Sequence, residues 1–252
     1  MAVINCVCGY RLDCVDDAAL FVAYRTHSND AHADLGITDD DVNKMIAAAG
    51  RMTRWDGATK AVGDSVDIRA LKPDLAEDFL RFFDRDAFQD NPDWSGCYCL
   101  FYQYTGDDWN TTDAAAANRA EKEALIVAGE AHGYLAYVDG TPVGWCHAAP
   151  RGTLPGLDSV PEFFCDGDPE EIGAIVCFNI AAPYRGQGLA SRLLDAACAG
   201  LREQGFAMAE AYPALRAHSD ARDYHGRLEM FLRAGFAVHR GGERFAVVRK
   251  TL

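Results

Sequence analysis

The stretch AIVCFNIAAPYRGQGLASRLLDAACAGLREQ, residues 174–204, decides the fold. Its first seven residues form an apolar run of strand length, and Leu189 to Gln204 repeats leucine and alanine at helical spacing until Gly205 stops it. Between them lies Arg185-Gly186-Gln187-Gly188-Leu189-Ala190. A helix opening at this point has first N–H groups without intrahelical partners, and its dipole puts partial positive charge at the same end. Gly186 and Gly188 remove side chains that would hold a ligand off the backbone, and they tolerate positive φ. Arg185 adds a cation. Strand, glycine turn, helix and arginine together predict a pyrophosphate site; a turn serving packing alone is the competing explanation for Gly-x-Gly. A Walker loop is excluded because no Gly-Lys-Ser/Thr follows, and a Rossmann fingerprint fits poorly with Ser at position 191.

Working outward, SVDIRAL (65–71) alternates like a strand, and Lys72-Pro73-Asp74 caps a helix, LAEDFLRFFDRDAF (75–88). An irregular, aromatic-rich stretch follows, and then an Ala-rich helix from Thr112 or Asp113 to about Gly129. YLAYVDGTPVGWCHA (134–148) is a hairpin turning on Asp139-Gly140. After a Pro/Gly-rich loop over 150–170 and the stretch quoted above come a strand, AMAEAY, a helix, HGRLEMFLRA, and two closing strands. The order is mixed α+β. Residues 1–50 read as a small α/β module: a strand, AVINCVC, a helical stretch after Asp16-Asp17, and a second helix from Asp39 to Gly50. We place a linker at 51–63 and one larger domain at 64–252.

The 252 residues are 49% hydrophobic and 25% charged, the mix of an ordinary globular chain with a substantial core. No apolar run reaches the roughly 20 residues of a membrane-spanning helix. The N-terminus lacks the basic-then-apolar pattern of a secretory signal, so a cytoplasmic protein is expected. The net charge is −14, with −3 carried by residues 1–62 and −11 by the remainder. Such a surface disfavours nucleic acid and anionic membrane as partners and suits a cationic small molecule; solubility alone explains it equally well. Nine cysteines, an odd number, argue against a disulfide framework.

At Arg185-Gly186-Gln187-Gly188-Leu189-Ala190 the chain resembles the GNAT acyltransferase superfamily, whose form Arg-Gly-x-Gly-[Ile/Leu/Val]-[Ala/Gly] it matches without a gap. The flanking order and Gly235-Phe236 are also similar to that family, over about residues 65–252; the family's strand-end proline is displaced, with Ala182-Pro183 in its place. The resemblance implies the GNAT fold, a mixed central sheet with a splayed cofactor strand flanked by helices. It implies acetyl-CoA or another acyl-CoA as co-substrate, with pyrophosphate on residues 185–190 and the pantetheine arm along the strand at Phe178 to Ile180. It also implies direct transfer of the acyl group to an amine. An alkylamine of pKa about 10.4 is only about 1 part in 2,500 neutral at pH 7, which makes deprotonation cost about 4.6 kcal/mol. Glu210 and Glu171 are candidate bases, each also readable as a solvated carboxylate.

Related enzymes protonate the leaving thiolate from a tyrosine four residues before the C-terminal glycine, a place taken here by Phe231. Tyr224 is the candidate substitute and His225 the second choice. Cys177 on the cofactor strand is a poor acyl carrier, since apolar surroundings raise a thiol's pKa. Trp94, Tyr98 and Trp145 are candidates for the acceptor wall, with core packing as the alternative for each, and His147 stands beside them. Cys97-x-Cys99 lacks the nearby histidine pair a metal site needs.

In the N-terminal module, Cys6-x-Cys8-Gly9 followed by His27-x4-His32 supplies the ligand types of a structural zinc site and resembles a predicted small metal-binding protein family. The competing reading makes the cysteines core residues and the histidines exposed. In either case the module is expected to pack on the larger domain or to dimerise it as a homodimer. The sequence therefore points to an N-acetyltransferase acting on a primary amine. Two alternatives stay open: a non-catalytic acyl-CoA-binding regulator, and a transferase acting on protein lysines through partners recruited by the module.

Overall fold

Alternation of inward-facing residues on long, apolar strands builds a sheet that must be covered on both faces, and the helices do so. The computed structural model describes residues 2–5, 11–14, 17–33, 36–49, 57–63, 65–91, 94–105, 115–215 and 223–252. In the N-terminal module, β1 (Ala2–Asn5) pairs antiparallel with β2 (Arg11–Cys14), a second strand that periodicity did not suggest. The hairpin is followed by α1 (Asp17–Ala31) and α2 (Asp39–Ala49). Reciprocal bonds start α2: Thr38 N donates to Asp41 Oδ2 (2.9 Å) and Asp41 N to Thr38 Oγ1 (3.2 Å), a capping box with aspartate at its third position. Leu12, Leu20, Tyr24, Val42 and Ile46 form a small core of its own.

The larger domain holds, among the described residues, a seven-stranded mixed sheet. Its strands are β3 (Asp67–Ala70), β4 (Tyr134–Val138), β5 (Thr141–Pro150), β6 (Ile172–Ile180), β7 (Met208–Ala211), β8 (Ala237–Gly241) and β9 (Ala246–Thr251), in the order β3-β4-β5-β6-β7-β9-β8. Only β6 and β7 run parallel. Asp139 and Gly140, at φ 49° and 72°, make the β4–β5 turn with the positive φ pair of a type I′ hairpin. Tyr134 and Ala136 face one core, while Leu135, Tyr137 and Trp145 face the other.

Helix α5 (Leu189–Glu203) covers the first face through Leu193, Leu194, Ala197 and Leu201. Each fully buried leucine contributes about 1.5–3 kcal/mol of transfer free energy. The approach is close: a Cβ on Gly200 would lie 1.7 Å from the Tyr134 hydroxyl, so no larger residue fits without moving the helix. Helices α3 (Ala76–Arg85) and α4 (Ala115–Val127) cover the second face, with Phe79, Phe82 and Phe83 packed toward Trp145. The phenylalanine spacing in 75–88 marks α3 correctly, and its helix yields to turns at 86–90. The last helix is shorter than its periodicity suggests, α6 spanning Leu228–Arg233 after a 3-10 turn at Asp223–His225.

One irregularity positions everything that follows. β6 pairs with β5 from Gly173, opposite Pro150, to Ile180, opposite Gly144, whereas β7 pairs only with Ile172–Ile175. Beyond Ile175 the two parallel strands part, and Val176 to Ile180 form one wall of a cleft. This is the splayed strand of the GNAT fold. Of the expected linker, residues 51–56 lie outside the described chain; residues 57–63 run along the glycine turn, with Lys60 N bonded to Pro183 O (2.8 Å). The Gln187 side chain accepts from Val62 N (2.9 Å) and donates to Lys60 O (2.8 Å).

Candidate functional site

The cleft opens into a cavity of about 1130 Å³ between the splayed half of β6, the start of α5, and the loop carrying Trp94 to Tyr102. Of the residues expected to hold the co-substrate, Phe178, Ile180, Arg185, Gly186, Gly188, Leu189 and Ala190 line it. Gln187 does not; its amide is spent on the 60–62 segment. Gly186 and Gly188 take φ 73° and 82°, the left-handed values anticipated for that turn. Gly188 is the N-cap of α5 and offers no side-chain cap, so the first N–H groups of the helix face the cavity uncapped. Arg185 is not a free cation. Its guanidinium grips both oxygens of Asp90, and Nε donates to Ile180 O (2.8 Å). Arg227 and Arg233 also line the cavity, with Arg227 paired to Asp223 (2.9 Å) and Glu229 on the same wall.

At the other end, Trp94 lines the cavity and meets Tyr224 edge-on, ring centroids 5.5 Å apart. Tyr224 is half-buried and packs on His225, ring centroids 4.3 Å apart, and the Tyr102 hydroxyl lies 2.9 Å from His225 Nε2. Burial pushes Tyr224 up to about 12, so it keeps its proton at any ordinary pH. His225 is driven down to about 3 by burial and is a neutral imidazole. Asn179 Oδ1, on the same wall, is buried without a hydrogen-bond partner.

Two of the three acceptor-wall candidates lie elsewhere. Tyr98 is buried, donates to Asp84 Oδ1 (2.6 Å) and stacks on Phe83. Trp145 is fully buried against Phe79. Neither lines the cavity, because strand alternation turns position 145 into the α3 layer. The two candidate bases are also absent from its lining. Glu210 is fully buried and accepts from Tyr212 Oη (2.6 Å) and Arg249 Nε (2.7 Å), with Arg151 Nε at 3.9 Å. Glu171 is exposed at the end of a 3-10 turn, Pro169–Glu171. Phe231 is fully buried against Phe178 and Phe236, so no acid stands there. Sequence reasoning did not single out Tyr102, Asp90 or Asn179, whose roles depend on long-range contacts.

In the N-terminal module, Cys6 and Cys8 lie outside the described residues. His27 and His32 come together, ring centroids 5.3 Å apart, because their spacing carries the second just past the end of α1. Among the described residues no group of three or more His, Cys, Asp or Glu is arranged to hold a metal. No helix among them is long and apolar enough to cross a membrane.

The buried histidine gives a pH prediction. Unfolded, His225 takes up a proton near pH 6.5; folded, it refuses until about 3. Stability present above pH 6.5 is therefore lost as the pH falls toward 3, with a slope of up to about 1.4 kcal/mol per pH unit from this group. Urea midpoints at pH 7 and pH 5 should fall in the wild type and fall less in His225→Gln. An equal fall in both would exonerate His225.

An uncapped helix start at a glycine turn, beside a parted pair of parallel strands, makes a cleft suited to an anion. The chain belongs to the acetyltransferase (GNAT) family, whose sequence profile matches residues 73–229, and is by class an acyltransferase. The match does not include the N-terminal module, so the expected kinship with a small metal-binding family gains no support. No curated protein sequence matches the chain. Among solved structures it is similar to an N-acetyltransferase from Staphylococcus aureus Mu50, at 12% identity and TM-score 0.43 over 75% of this chain and 99% of that one. It is similar to PaiA N-acetyltransferase from Thermoplasma acidophilum in complex with coenzyme A, at 12% identity and TM-score 0.44, with 75% and 99% covered. The GNAT domain of S. lividans PAT gives 17% identity and TM-score 0.47, with 75% and 92% covered. These likenesses are remote, and membership rests on the sequence profile.

Proposed function

We propose that the protein transfers an acetyl or other short acyl group from acyl-CoA to a primary amine. The observation that carries this reading is one continuous cavity from the uncapped start of α5, along the splayed edge of β6, to the Trp94–Tyr224 corner. The pyrophosphate sits on the 186–190 turn, Phe178 to Ile180 flank the pantetheine arm, and Asn179 Oδ1 accepts an N–H from the bound donor or acceptor. Arg185 acts by holding the turn to Asp90 and Ile180 rather than as an unpaired cation. Trp94 forms the acceptor side and suits a cationic or apolar amine. A cytoplasmic setting belongs to the same reading and accords with the free thiols at Cys97, Cys99 and Cys177. Zinc is left out of it, since only His27 and His32 of the four expected ligands fall on described residues. The acceptor in this reading is a small amine.

Tyr224 serves the leaving sulfur as a hydrogen-bond donor. Complete transfer of its proton, held to about 12, to a thiolate of ordinary pKa about 8.5 runs uphill by about 5 kcal/mol. Donation without transfer avoids that cost and steadies the developing charge. Tyr224→Phe should lower kcat more than tenfold with the KM for acyl-CoA little changed. An unchanged kcat returns Tyr224 to a packing role. The overall reading is tested by titrating the protein with acetyl-CoA in a calorimeter and then screening primary amines by CoA release. Binding without turnover on any amine favours an acyl-CoA-sensing regulator, and turnover only on proteins favours a lysine acetyltransferase.

A further inference from the structure

The glycine turn that would hold the donor's pyrophosphate is pinned from two flanks. On one, Arg185 grips Asp90 and Ile180 O; on the other, both ends of the Gln187 amide bond to the backbone of residues 57–63. Oε1 accepts from Val62 N (2.9 Å), Nε2 donates to Lys60 O (2.8 Å), and Lys60 N donates to Pro183 O (2.8 Å). Residues 185 and 187 are thereby tied down, while Gly186 and Gly188 line the cavity.

Packing follows the same path. Val62 joins the apolar cluster of Leu189, Ile180 and Tyr184, and Lys60 Nζ stands 5.7 Å from the centre of the Tyr184 ring. Leu189, Ile180 and Tyr184 line the cavity, whereas none of residues 57–63 does. The segment also precedes residues 73–229, so the family profile does not account for it. The need for such support is physical. Gly186 and Gly188 sit at φ 73° and 82°, and glycine loses more conformational freedom than any other residue when it is ordered. A turn left to fluctuate must be ordered by each incoming phosphate. One held by its neighbours is ordered before the ligand arrives, and affinity rises accordingly.

Resting on the acyl-CoA reading above, we propose that residues 57–63 are a strap that presets the co-substrate turn, with Gln187 as the positioning residue through which it acts. The Gln187 side chain does not line the cavity; it works by holding the two glycines beside it in place. Strap docking and acyl-CoA binding then favour one another. Linkage makes the two effects equal: the factor by which docking tightens acyl-CoA binding is the factor by which acyl-CoA tightens docking. A glutamine bonded to the strap for fold stability alone would leave donor affinity unchanged.

The first arm of the test needs no variant. Amide exchange at Lys60 and Val62 requires the strap to lift. In the full chain, saturating acetyl-CoA should slow hydrogen exchange of peptides covering 57–63 about tenfold by mass spectrometry, although none of those residues lines the cavity. The second arm is Gln187→Met, which keeps the side chain's length and loses both bonds. Its calorimetric Kd for acetyl-CoA should rise by the same factor, about tenfold, with an unchanged circular dichroism spectrum. Val62→Pro removes the N–H that Gln187 accepts and should weaken binding similarly. Both changes break one connection, so the double variant should bind no more than about twentyfold more weakly than wild type, against about hundredfold for independent effects. Three results would each overturn the strap and leave the acyl-CoA reading standing: wild type that binds acetyl-CoA with exchange at 57–63 unchanged, Gln187→Met binding within about twofold of wild type, or an additive loss in the double variant. Failure of the wild type to bind acetyl-CoA removes both.

Discussion

Gly188→Glu should abolish acetyl-CoA binding in a calorimetric titration, with affinity lowered at least hundredfold and the circular dichroism spectrum unchanged. Gly188 sits at φ 82° and ψ 5° as the N-cap of α5, and a Cβ built on it meets nothing within 4 Å. The added side chain therefore enters cavity space instead of the core. Its cost to the fold is the left-handed backbone alone, about 1–2 kcal/mol, against a typical stability of about 5–15 kcal/mol. A carboxylate there does more to the ligand than to the protein. It satisfies the uncapped N–H groups itself, with about 0.3–1 kcal/mol of helix-dipole stabilisation, and it faces the incoming phosphates with like charge. A hundredfold loss corresponds to about 2.8 kcal/mol, within reach of those two effects together. Gly188→Ala separates strain from charge and should cost less than tenfold. Binding by the Glu variant within threefold of wild type would remove the phosphates from this turn.

The turn itself was legible in the sequence because its determinants are local. A strand, two glycines and a helix start are contiguous, and backbone N–H groups need no distant partner to become available. The hairpin at Asp139-Gly140 and the phenylalanine face of α3 were legible for the same reason. The chemistry at the far end of the cavity was not. Trp145 and Tyr98 lie in the right region of the chain, yet strand alternation turns Trp145 into the α3 layer and the Asp84 bond draws Tyr98 inward. Arg185 reads as a cation until Asp90, far upstream in sequence, is seen to neutralise it. Gln187 reads as one more residue of a glycine turn, but its bonds to Lys60 and Val62 reach 127 and 125 residues upstream, which no periodicity announces.

Glu210 is the other place where a carboxylate reads one way in sequence and another in space, and it carries the largest stability effect expected. On a strand beside the cofactor helix it resembles a general base; in the structure its two oxygens are taken by Tyr212 Oη and Arg249 Nε, with Arg151 near. Arg151 is itself buried and bonded to Asp158 (2.5 Å) and Phe163 O (3.1 Å), and Arg249 extends the network to Asp166. A fully buried carboxylate between two guanidinium groups shares their charge with Asp158 and Asp166 nearer the surface. Glu210→Ala breaks the buried bond to Arg249 and leaves the Tyr212 hydroxyl without its acceptor, and breaking a buried pair in this way costs about 3–5 kcal/mol. Urea unfolding should show that loss, while kcat of the folded protein changes less than threefold, because Glu210 does not line the cavity. Glu210→Gln keeps both acceptor and shape and should fall between. The opposite pattern, a loss under 1 kcal/mol with kcat collapsed, would make Glu210 the base after all and require the cavity to reach behind β7.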